Sequence, residues 1–470
     1  MIVRNSGLII PNDHPDIDKI KKDLTIKQTK FNSDEIQTML FYQELNDSIL
    51  IPRYYPIKDE IFDENPEGED IRITSNIVPD GQTQIDIMNW LETTDRGILK
   101  ALPGIGKTVC AIETICRRRK KTLIVAHKKS LISQWKKELL KFTDLHEDDI
   151  GILTTSKTKY KEELDKPVLL TTPHVIGLAL SQNKFYFIKY LKECGIGLMI
   201  VDEVHAIVGA EMFTKSSITV NAKTVIGLSA TPERSNETDK IINYHLGDVK
   251  EFDFSLADQV IPRIVVIKSD FQINKNHSRY INYGGKFDLN KYCIQSKKSE
   301  KYSSIVLYLI NKAYDEGRST IIVGNYIDHV LFFAEHCKAP KEHIGVFFPT
   351  AKPKEILNVS DTTNLEEAFL TKQLVFGSYG ALRDGNNRKD LSCAIMLTPC
   401  SNVVQLVGRI TRKLPGKPFP IAFDLVDTDP SIRTVWNSDK TERLQKFEKA
   451  FQDRMLKYDE KKWPVKISVK

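Results

Sequence analysis

Short apolar runs alternate with longer amphipathic segments along most of the chain after residue 79. The runs are three or four residues long, and the segments between them place apolar residues every three or four positions. Such runs predict strands that are buried on both faces of a parallel sheet, with helices packed over them. The runs lie at 97–99, 122–125, 168–170, 198–201, 225–228, 320–323, 374–376, 394–397 and 421–423.

This alternation predicts two α/β domains in tandem, because parallel strands need long crossover connections, which are usually helices. The first domain is predicted at 79–255 and the second at 256–430. The segment 253–266 contains Pro262 and is the predicted hinge between the two domains. Residues 431–470 are predicted to form a C-terminal helix followed by a basic tail.

Residues 1–78 have a different pattern and predict a small N-terminal α+β domain. Prolines interrupt their short apolar runs, and residues 33–46 have the spacing of a helix. The acidic stretch 59–70 contains Pro66 and Gly68, which predicts an exposed linker.

Composition and charge narrow the class of protein. Of 470 residues, 41% are hydrophobic and 28% are charged, as in soluble globular proteins. No run of 18 apolar residues and no signal peptide are evident, so no membrane partner is expected. The expected location is the cytoplasm, or the host cell cytoplasm if the protein is viral. Residues 1–80 carry 16 acidic and 9 basic residues, so the total charge of +6 leaves +13 on the remainder. A basic body suits a polyanion such as nucleic acid.

A glycine-rich loop is the strongest chemical motif in the chain. It follows one predicted strand, precedes a predicted helix, and reads Ala101-Leu102-Pro103-Gly104-Ile105-Gly106-Lys107-Thr108. Backbone N–H groups of such a loop bind the phosphates of a nucleotide, and the lysine neutralises phosphate charge. The hydroxyl of Thr108 is a candidate ligand of Mg²⁺. ATP and Mg²⁺ are therefore the expected cofactors.

Two adjacent carboxylates end another predicted strand. Asp202 and Glu203 follow the apolar run 198–201 and would lie at the carboxyl edge of the sheet, where open α/β folds bind ligands. Asp202 is the candidate ligand of Mg²⁺, and Glu203 is the candidate base that orients and deprotonates the attacking water.

These motifs together resemble those of superfamily 2 helicases of the DExH kind. The resemblance covers about residues 80–430 and includes the glycine-rich loop, the DEVH sequence at 202–205, the SATP sequence at 229–232 and the QLVGRITR sequence at 405–412. The family fold is a pair of tandem RecA-like parallel-sheet domains. The resemblance therefore implies a nucleic-acid-dependent ATPase.

The resemblance also implies roles for individual residues. Arg409 and Arg412 match the arginines that reach the γ-phosphate of ATP, where they stabilise charge on the transferring phosphoryl group. With Lys107, Asp202 and Glu203, they form the predicted catalytic set. The predicted coupling residues, which link the state of ATP to the grip on nucleic acid, are Ser229, Thr231 and Gln405.

Weaker matches extend the predicted sites. Gln84 resembles the glutamine that reads adenine, and Gly385 and Asn387 lie in a segment that resembles an ATP-contacting motif. That segment departs from the family pattern, because Asn386 and Asn387 stand where relatives often have an aspartate. The candidate nucleic-acid contacts are Thr171, Thr172, Ser378 and Tyr379.

Within the superfamily, the chain resembles the XPB-like and UvsW-like branch. The resemblance implies an ATP-dependent DNA helicase that migrates branches and remodels forked DNA in replication, recombination or repair. Residues 1–78 would then help to grip DNA, and a monomer is expected; protein partners are not indicated. Three alternatives stay open: a duplex translocase without net unwinding, an RNA helicase, and an ATP-gated clamp on nucleic acid.

Overall fold

The computed structural model consists of two compact units, Met1–Phe254 and Ser255–Lys470. Within the described residues, no helix combines the length and the apolar character that crossing a membrane requires. The structure describes residues 1–29, 36–101, 105–154, 160–207, 213–214, 217, 219–230, 239–252, 260–271, 288–348, 369–379, 382, 388–400, 403–429, 434–436 and 443–469.

The first unit begins with a small α+β domain, as the sequence predicts. Strands pair in the order β5-β6-β2-β1-β7, with β1 and β7 parallel and the other pairs antiparallel, while β3 and β4 form a separate ribbon. The elements are β1 (Ile2–Arg4), β2 (Leu8–Pro11), α1 (Ile17–Asp23), β3 (Thr25–Thr29), β4 (Ile36–Leu40), β5 (Gln43–Glu44), β6 (Ser48–Ile51) and β7 (Ile61–Asp63).

The helix predicted at 33–46 is wrong for the part of it that the structure describes. Ile36–Leu40 forms β4, and its register against β3 pairs Ile26 with Met39. Helical spacing of a few apolar residues is a weak signal, and pairing with a neighbouring strand satisfies the backbone equally well.

An arginine fastens the small domain to the rest of the first unit. Arg53 is fully buried, and its guanidinium donates hydrogen bonds to four backbone carbonyls, those of Ser6, Ser217, Val220 and Ala222, at 2.9–3.2 Å. Buried carbonyls need partners, and one planar guanidinium supplies donors for all four.

The segment 64–77, which includes residues 64–70 of the predicted linker, is tied to the first α/β domain. The backbone of Glu69 bonds to Gly195 and Lys121, and Ile71 bonds to Arg119. Gly68 lies so close to Gly197 that a Cβ added to Gly68 would stand 2.2 Å from the Cα of Gly197. The acidic side chains are exposed, as predicted, but the backbone forms a strap along the domain.

The first α/β domain contains a seven-stranded sheet in which every pair of neighbours is parallel, in the order β10-β11-β9-β12-β13-β8-β14. Alternate residues of the central strands enter the two hydrophobic cores on opposite faces. Its elements are α2 (Gln82–Thr93), β8 (Arg96–Lys100), α3 (Lys107–Arg118), β9 (Thr122–Val125), α4 (Lys129–Phe142), β10 (Ile150–Ile152), α5 (Tyr160–Leu164), β11 (Val168–Thr171), α6 (Pro173–Ser181), α7 (Phe185–Glu193), β12 (Leu198–Asp202), α8 (Val204–Ile207), β13 (Thr224–Ser229), α9 (Asp239–Leu246) and β14 (Val249–Glu251).

The second unit contains another seven-stranded parallel sheet, in the order β17-β18-β16-β19-β20-β15-β23. The two sheets with their helices confirm the predicted α/β class of tandem RecA-like domains. The elements of this unit are β15 (Arg263–Ser269), α10 (Leu289–Ser296), α11 (Glu300–Asp315), β16 (Ser319–Gly324), α12 (Ile327–His336), β17 (Ile344–Phe347), β18 (Leu374–Ser378), β19 (Leu391–Met396), α13 (Val403–Gly408), β20 (Ile421–Asp427), β21 (Thr434–Trp436), β22 (Arg443–Gln445), α14 (Lys446–Glu460) and β23 (Val465–Val469).

Two features of the second unit differ from the sequence prediction. The basic tail contains β23, which pairs in parallel with β15 at the edge of the sheet. Residues 263–266 of the predicted hinge belong to β15, and residues 253–259 lie outside the described part.

A buried ion pair holds α14 against the sheet. The guanidinium of Arg454 donates two hydrogen bonds to the carboxylate of Asp424, at 2.8 and 2.9 Å, and the hydroxyl of Tyr458 donates a third at 2.9 Å. Arg454 and Asp424 are almost fully buried. A buried charge of this kind depends on its partner, because the protein interior solvates it poorly.

We predict that Arg454→Met destabilises the second unit by about 3–5 kcal/mol, because it leaves Asp424 charged and buried. Lys449→Met is the matched control on the same helix. It removes a more exposed pair, Lys449 with Asp453 at 3.6 Å, and should cost less than about 1 kcal/mol. Urea denaturation followed by hydrogen exchange of the β20 amides measures both changes. Equal losses for the two variants would contradict the prediction.

Candidate nucleotide-binding site

The carboxyl ends of three adjacent strands bring the predicted ATP residues to one edge of the first sheet. Strand β13 lies between β12 and β8, and the register pairs Asp202 with Leu228 and Ser229 with Lys100. The backbone N–H of Ala101 then donates to the carbonyl of Ser229 at 3.0 Å. The end of β13, which carries a predicted coupling residue, is therefore bonded directly to the start of the glycine-rich loop.

The described part of that loop leads into α3. Gly106 has a φ of +89°, a left-handed conformation that favours glycine, and α3 begins at Lys107. The ammonium of Lys107 donates to the carbonyl of Ala101 at 2.9 Å, and Thr108 lies half-buried in the first turn. The N-terminus of a helix with free backbone N–H groups is suited to phosphate. Residues 102–104, also predicted to bind ATP, lie outside the described part.

Gln84, which lies on α2, holds the glycine-rich loop in place. Its side-chain amide donates to the carbonyl of Ile105 at 2.8 Å and accepts from the backbone N–H of Asp80 at 2.7 Å. A Cβ on Gly106 would stand 2.7 Å from Nε2 of Gln84, which is a second reason for glycine at this position. The structure thus gives Gln84 a structural contact with the phosphate loop, while its reading of adenine stays a prediction.

Asp202 is a buried carboxylate that two donors hold in place. The indole N–H of Trp135, on α4, donates to Oδ2 of Asp202 at 2.8 Å, and the backbone N–H of Glu203 donates to Oδ1 at 2.9 Å. Burial, followed by the charge of Glu203, raises the pKa of Asp202 to about 6, although the Trp135 bond and the charge of Lys107 act in the opposite direction. The site therefore holds concentrated negative charge beside a lysine.

Trp135 is a site residue that sequence reasoning missed. The sequence predicts it as a core residue, and it is 1% exposed. A buried indole usually finds a partner for its N–H, which is the only signal that could have pointed to Asp202. The sequence could not show which acceptor the ring would meet.

Glu203 occupies a strained position directly after β12. Its φ is +51°, a left-handed conformation that costs a residue with a Cβ about 1–2 kcal/mol. Such outliers persist where the surrounding structure enforces them, and they concentrate at functional sites. Here the sharp turn between β12 and α8 keeps the two carboxylates adjacent at the sheet edge.

The second unit carries the predicted ATP and coupling residues that follow residue 254. Gln405 lies on α13, one helical turn before Arg409, and both side chains are buried. The helix ends at Gly408, whose carbonyl accepts from the hydroxyl of Thr411. Arg412 is half-buried. Thr231, Gly385 and Asn387 lie outside the described residues.

Two of the four candidate nucleic-acid contacts are not placed to bind a phosphate. Thr171 is almost fully buried, and the hydroxyl of Tyr379 donates to the backbone carbonyl of Thr398. Both groups point into the protein, so neither is presented to a phosphate. Thr172, before α6, and Ser378, at the end of β18, are half-buried at strand ends.

Two segments whose composition could suit nucleic acid have internal roles. Phe271 and Tyr292, from the aromatic segment 271–300, are buried in the core of the second unit, while residues 272–287 lie outside the described part. In the basic cluster 117–121, the side chains of Arg117, Arg118, Lys120 and Lys121 bond to carboxylates or carbonyls of their own unit.

Comparison with known proteins shows what the part of the chain that carries this site is similar to. A family model described as the res subunit of type III restriction enzymes matches residues 71–234. A protein of Acanthamoeba polyphaga mimivirus named as an ATP-dependent RNA helicase is 26% identical over 489 aligned residues, covering 99% of this chain and 89% of that protein.

Two further similarities are less extensive. The helicase/translocase subunit XPB of the general transcription and DNA repair factor IIH of Antonospora locustae is 27% identical over 180 residues, which is 38% of this chain and 26% of that protein. The crystal structure of T4 UvsW aligns over 88% of this chain and 84% of its own, with 17% identity and a TM-score of 0.33.

The sheet-edge site and these relatives define an ATP-dependent helicase-type ATPase that works on nucleic acid. The chain contains a helicase domain of the type III restriction enzyme res subunit kind and is homologous to XPB and to viral helicases.

We predict that Trp135→Phe lowers kcat for ATP hydrolysis about 10- to 100-fold, because Oδ2 of Asp202 loses its donor while the aromatic core is kept. Trp90→Phe is the matched control, since Trp90 packs against Phe252 away from Asp202. Steady-state kinetics with nucleic acid present, together with the thermal midpoint of each variant, make the comparison. A purely structural role for Trp135 would lower the midpoint and leave kcat close to that of the control.

Proposed function

We propose that this protein is an ATP-dependent DNA helicase that remodels forked or branched DNA. The single observation that carries the ATPase part is the meeting of Lys107, Asp202 and Glu203 at the carboxyl edge of one parallel sheet. The similarity to XPB, a subunit of a DNA repair factor, supports DNA as the substrate. The charge of +13 on the chain after residue 80 supports a polyanionic partner.

In the proposed reaction, the chain binds and orients the phosphates of ATP. Backbone N–H groups at the start of α3 contact them, and Lys107 neutralises their charge. Glu203 orients the attacking water and accepts its proton. We propose that Arg409 and Arg412 stabilise the charge that develops on the transferring phosphoryl group.

The residues at the sheet edge also fit Mg²⁺. Asp202 and Thr108 offer hard oxygen ligands. Burial, followed by the charge of Glu203, raises the pKa of Asp202, and a bound cation would offset both effects. Trp135 and the backbone of Glu203 fix the Asp202 carboxylate in one orientation. When bound, Mg²⁺ would neutralise charge on the β- and γ-phosphates.

One observation favours a second candidate, an RNA helicase. The mimivirus relative, which aligns with 99% of this chain, is named as an ATP-dependent RNA helicase. The site residues serve RNA and DNA motors equally, because ATP chemistry does not read the 2′-hydroxyl. A duplex translocase shares the same site and differs only in failing to separate strands. An ATP-gated clamp is disfavoured by the presence of Glu203, Arg409 and Arg412. We further propose that the protein acts as a monomer in the cytoplasm, or in that of the host cell if it is viral.

The test is ATP hydrolysis with no nucleic acid, single-stranded DNA, duplex, forked DNA, a four-way junction and RNA. We expect forks and junctions to stimulate most. We expect Glu203→Gln to lower kcat by about 10²–10⁴-fold, because the amide cannot accept the proton. Glu64→Gln, at an exposed position on the strap, is the matched control and should behave as wild type.

Each contrary result removes one part of the proposal. Stronger stimulation by RNA than by any DNA would make this an RNA motor. DNA-stimulated hydrolysis without strand displacement would make it a duplex translocase. Hydrolysis that neither responds to nucleic acid nor depends on Glu203 would reject the motor itself.

A further inference from the structure

Two adjacent aromatic side chains stand out from the first α/β domain. Phe185 and Tyr186, the first two residues of α7, are 74% and 76% exposed, which are the largest values for aromatic side chains in the described part of the chain. The opposite face of α7 is anchored, since Phe187 and Leu191 are buried in the core. Leaving two rings in water forgoes about 2 kcal/mol of burial each, and such patches mark interaction surfaces.

Lysines surround these rings. Lys189 and Lys192 are exposed on the same face of α7, one turn and two turns after Phe185, and Lys184 precedes the helix. The segment 184–193 carries three lysines and one glutamate, a net charge of +2. Exposed aromatics interleaved with lysines suit a ligand that offers flat faces and negative charge at a short repeat.

A groove continues the surface toward the N-terminal domain. It has a volume of about 280 Å³ and lies between the small domain and the helices α6 and α7. Besides apolar side chains, its lining includes three amides, one ring and two lysines: Asn5, Gln43, Asn183, Phe185, Lys184 and Lys192. This volume is close to the lower limit for pockets of small ligands, so it suits one planar group better than a folded partner.

The groove has a rigid frame. Arg53 bonds to three carbonyls of the first α/β domain, and the backbone N–H of Tyr54 donates to the carbonyl of Tyr244 at 2.8 Å. These bonds fix the small domain against the domain that carries α7. A preformed groove adds no ordering cost of its own to the cost of ordering a flexible ligand such as a single strand.

We propose that Phe185, Tyr186, Lys189 and Lys192, named here the α7 platform, bind a single strand of DNA. Bases stack on the two rings, the lysines contact the phosphates, and the groove accepts an unstacked base whose edge meets the amides of Asn5, Gln43 or Asn183. A duplex hides the faces of its bases, so the platform favours single strands. This inference rests on the proposed function and adds a strand-binding surface outside the helicase motifs.

The experiment measures binding of fluorescein-labelled oligothymidylate and of a duplex of equal length by anisotropy. The double variant Phe185→Leu/Tyr186→Leu removes both rings but keeps apolar volume, and Phe185→Tyr/Tyr186→Phe keeps both rings. We expect the leucine pair to raise the Kd for the single strand about tenfold or more, with a smaller change for the duplex. The ring-keeping pair should stay within about twofold of wild type.

Tyr308→Leu is the matched control, because Tyr308 is also exposed on a helix and has a lysine, Lys312, beside its ring. It should bind both DNAs as wild type does. All variants change exposed positions, so their thermal midpoints should agree and would reveal any misfolding.

Unchanged single-strand affinity of the leucine pair overturns the α7 platform. So does a result in which the leucine pair alters only self-association in sedimentation, because the rings would then serve contact between copies of the chain. The proposed function fails separately: wild-type hydrolysis would ignore every nucleic acid although ring-dependent binding persists.

Discussion

A buried carboxylate at the end of one strand constrains the architecture of the first unit. Asp202 is 7% exposed and adjoins a second carboxylate, an arrangement that is unfavourable unless donors surround it. The donors come from different parts of the chain: the indole of Trp135 on α4 and the backbone of Glu203 after β12. Helix α4 must therefore pack over β12 in one register. The predicted ATP site depends on packing that lies about 70 residues away along the sequence.

Parallel pairing explains why the other groups assemble beside Asp202. In a parallel sheet all strands end at one edge, so residues after β8, β12 and β13 meet without any special folding of loops. The bond from Ala101 to Ser229 then joins two of these ends, and Gln84 holds the loop at Ile105. The contacts link the phosphate loop to the strand end that carries the coupling motif. A change at the phosphates could thus pass through backbone hydrogen bonds to residues after β13.

The sequence is informative where structure is local and less so where it depends on distant partners. Apolar runs predict the buried central strands because both faces of each strand are covered. Edge elements are different: Val465–Val469 alternates apolar and polar residues after a lysine-rich segment, and only its pairing with β15, about 200 residues earlier, makes it a strand. The same holds for Ile36–Leu40, whose partner is β3. Likewise the motif residues can be recognised in the sequence, but the donor that fixes Asp202 cannot. A tryptophan in a core helix has no sequence spacing that indicates its hydrogen-bond acceptor.

The position of counter-charges decides what each basic cluster does. In the cluster 117–121, Lys121 pairs with Glu69 at 3.1 Å and Lys120 pairs with Asp70 at 2.8 Å. The acidic strap therefore neutralises lysines that the sequence alone would suggest as DNA contacts. Glu69 and Asp70 of the acidic N-terminal region thus have a structural use. No ion pair involves Lys189 or Lys192 within the described part of the chain. Positive charge that is left without an internal carboxylate, and that stands beside exposed rings, is what a nucleic-acid strand can neutralise. The ion pairs that a charged segment makes within the protein therefore indicate its function better than the net charge of the segment does.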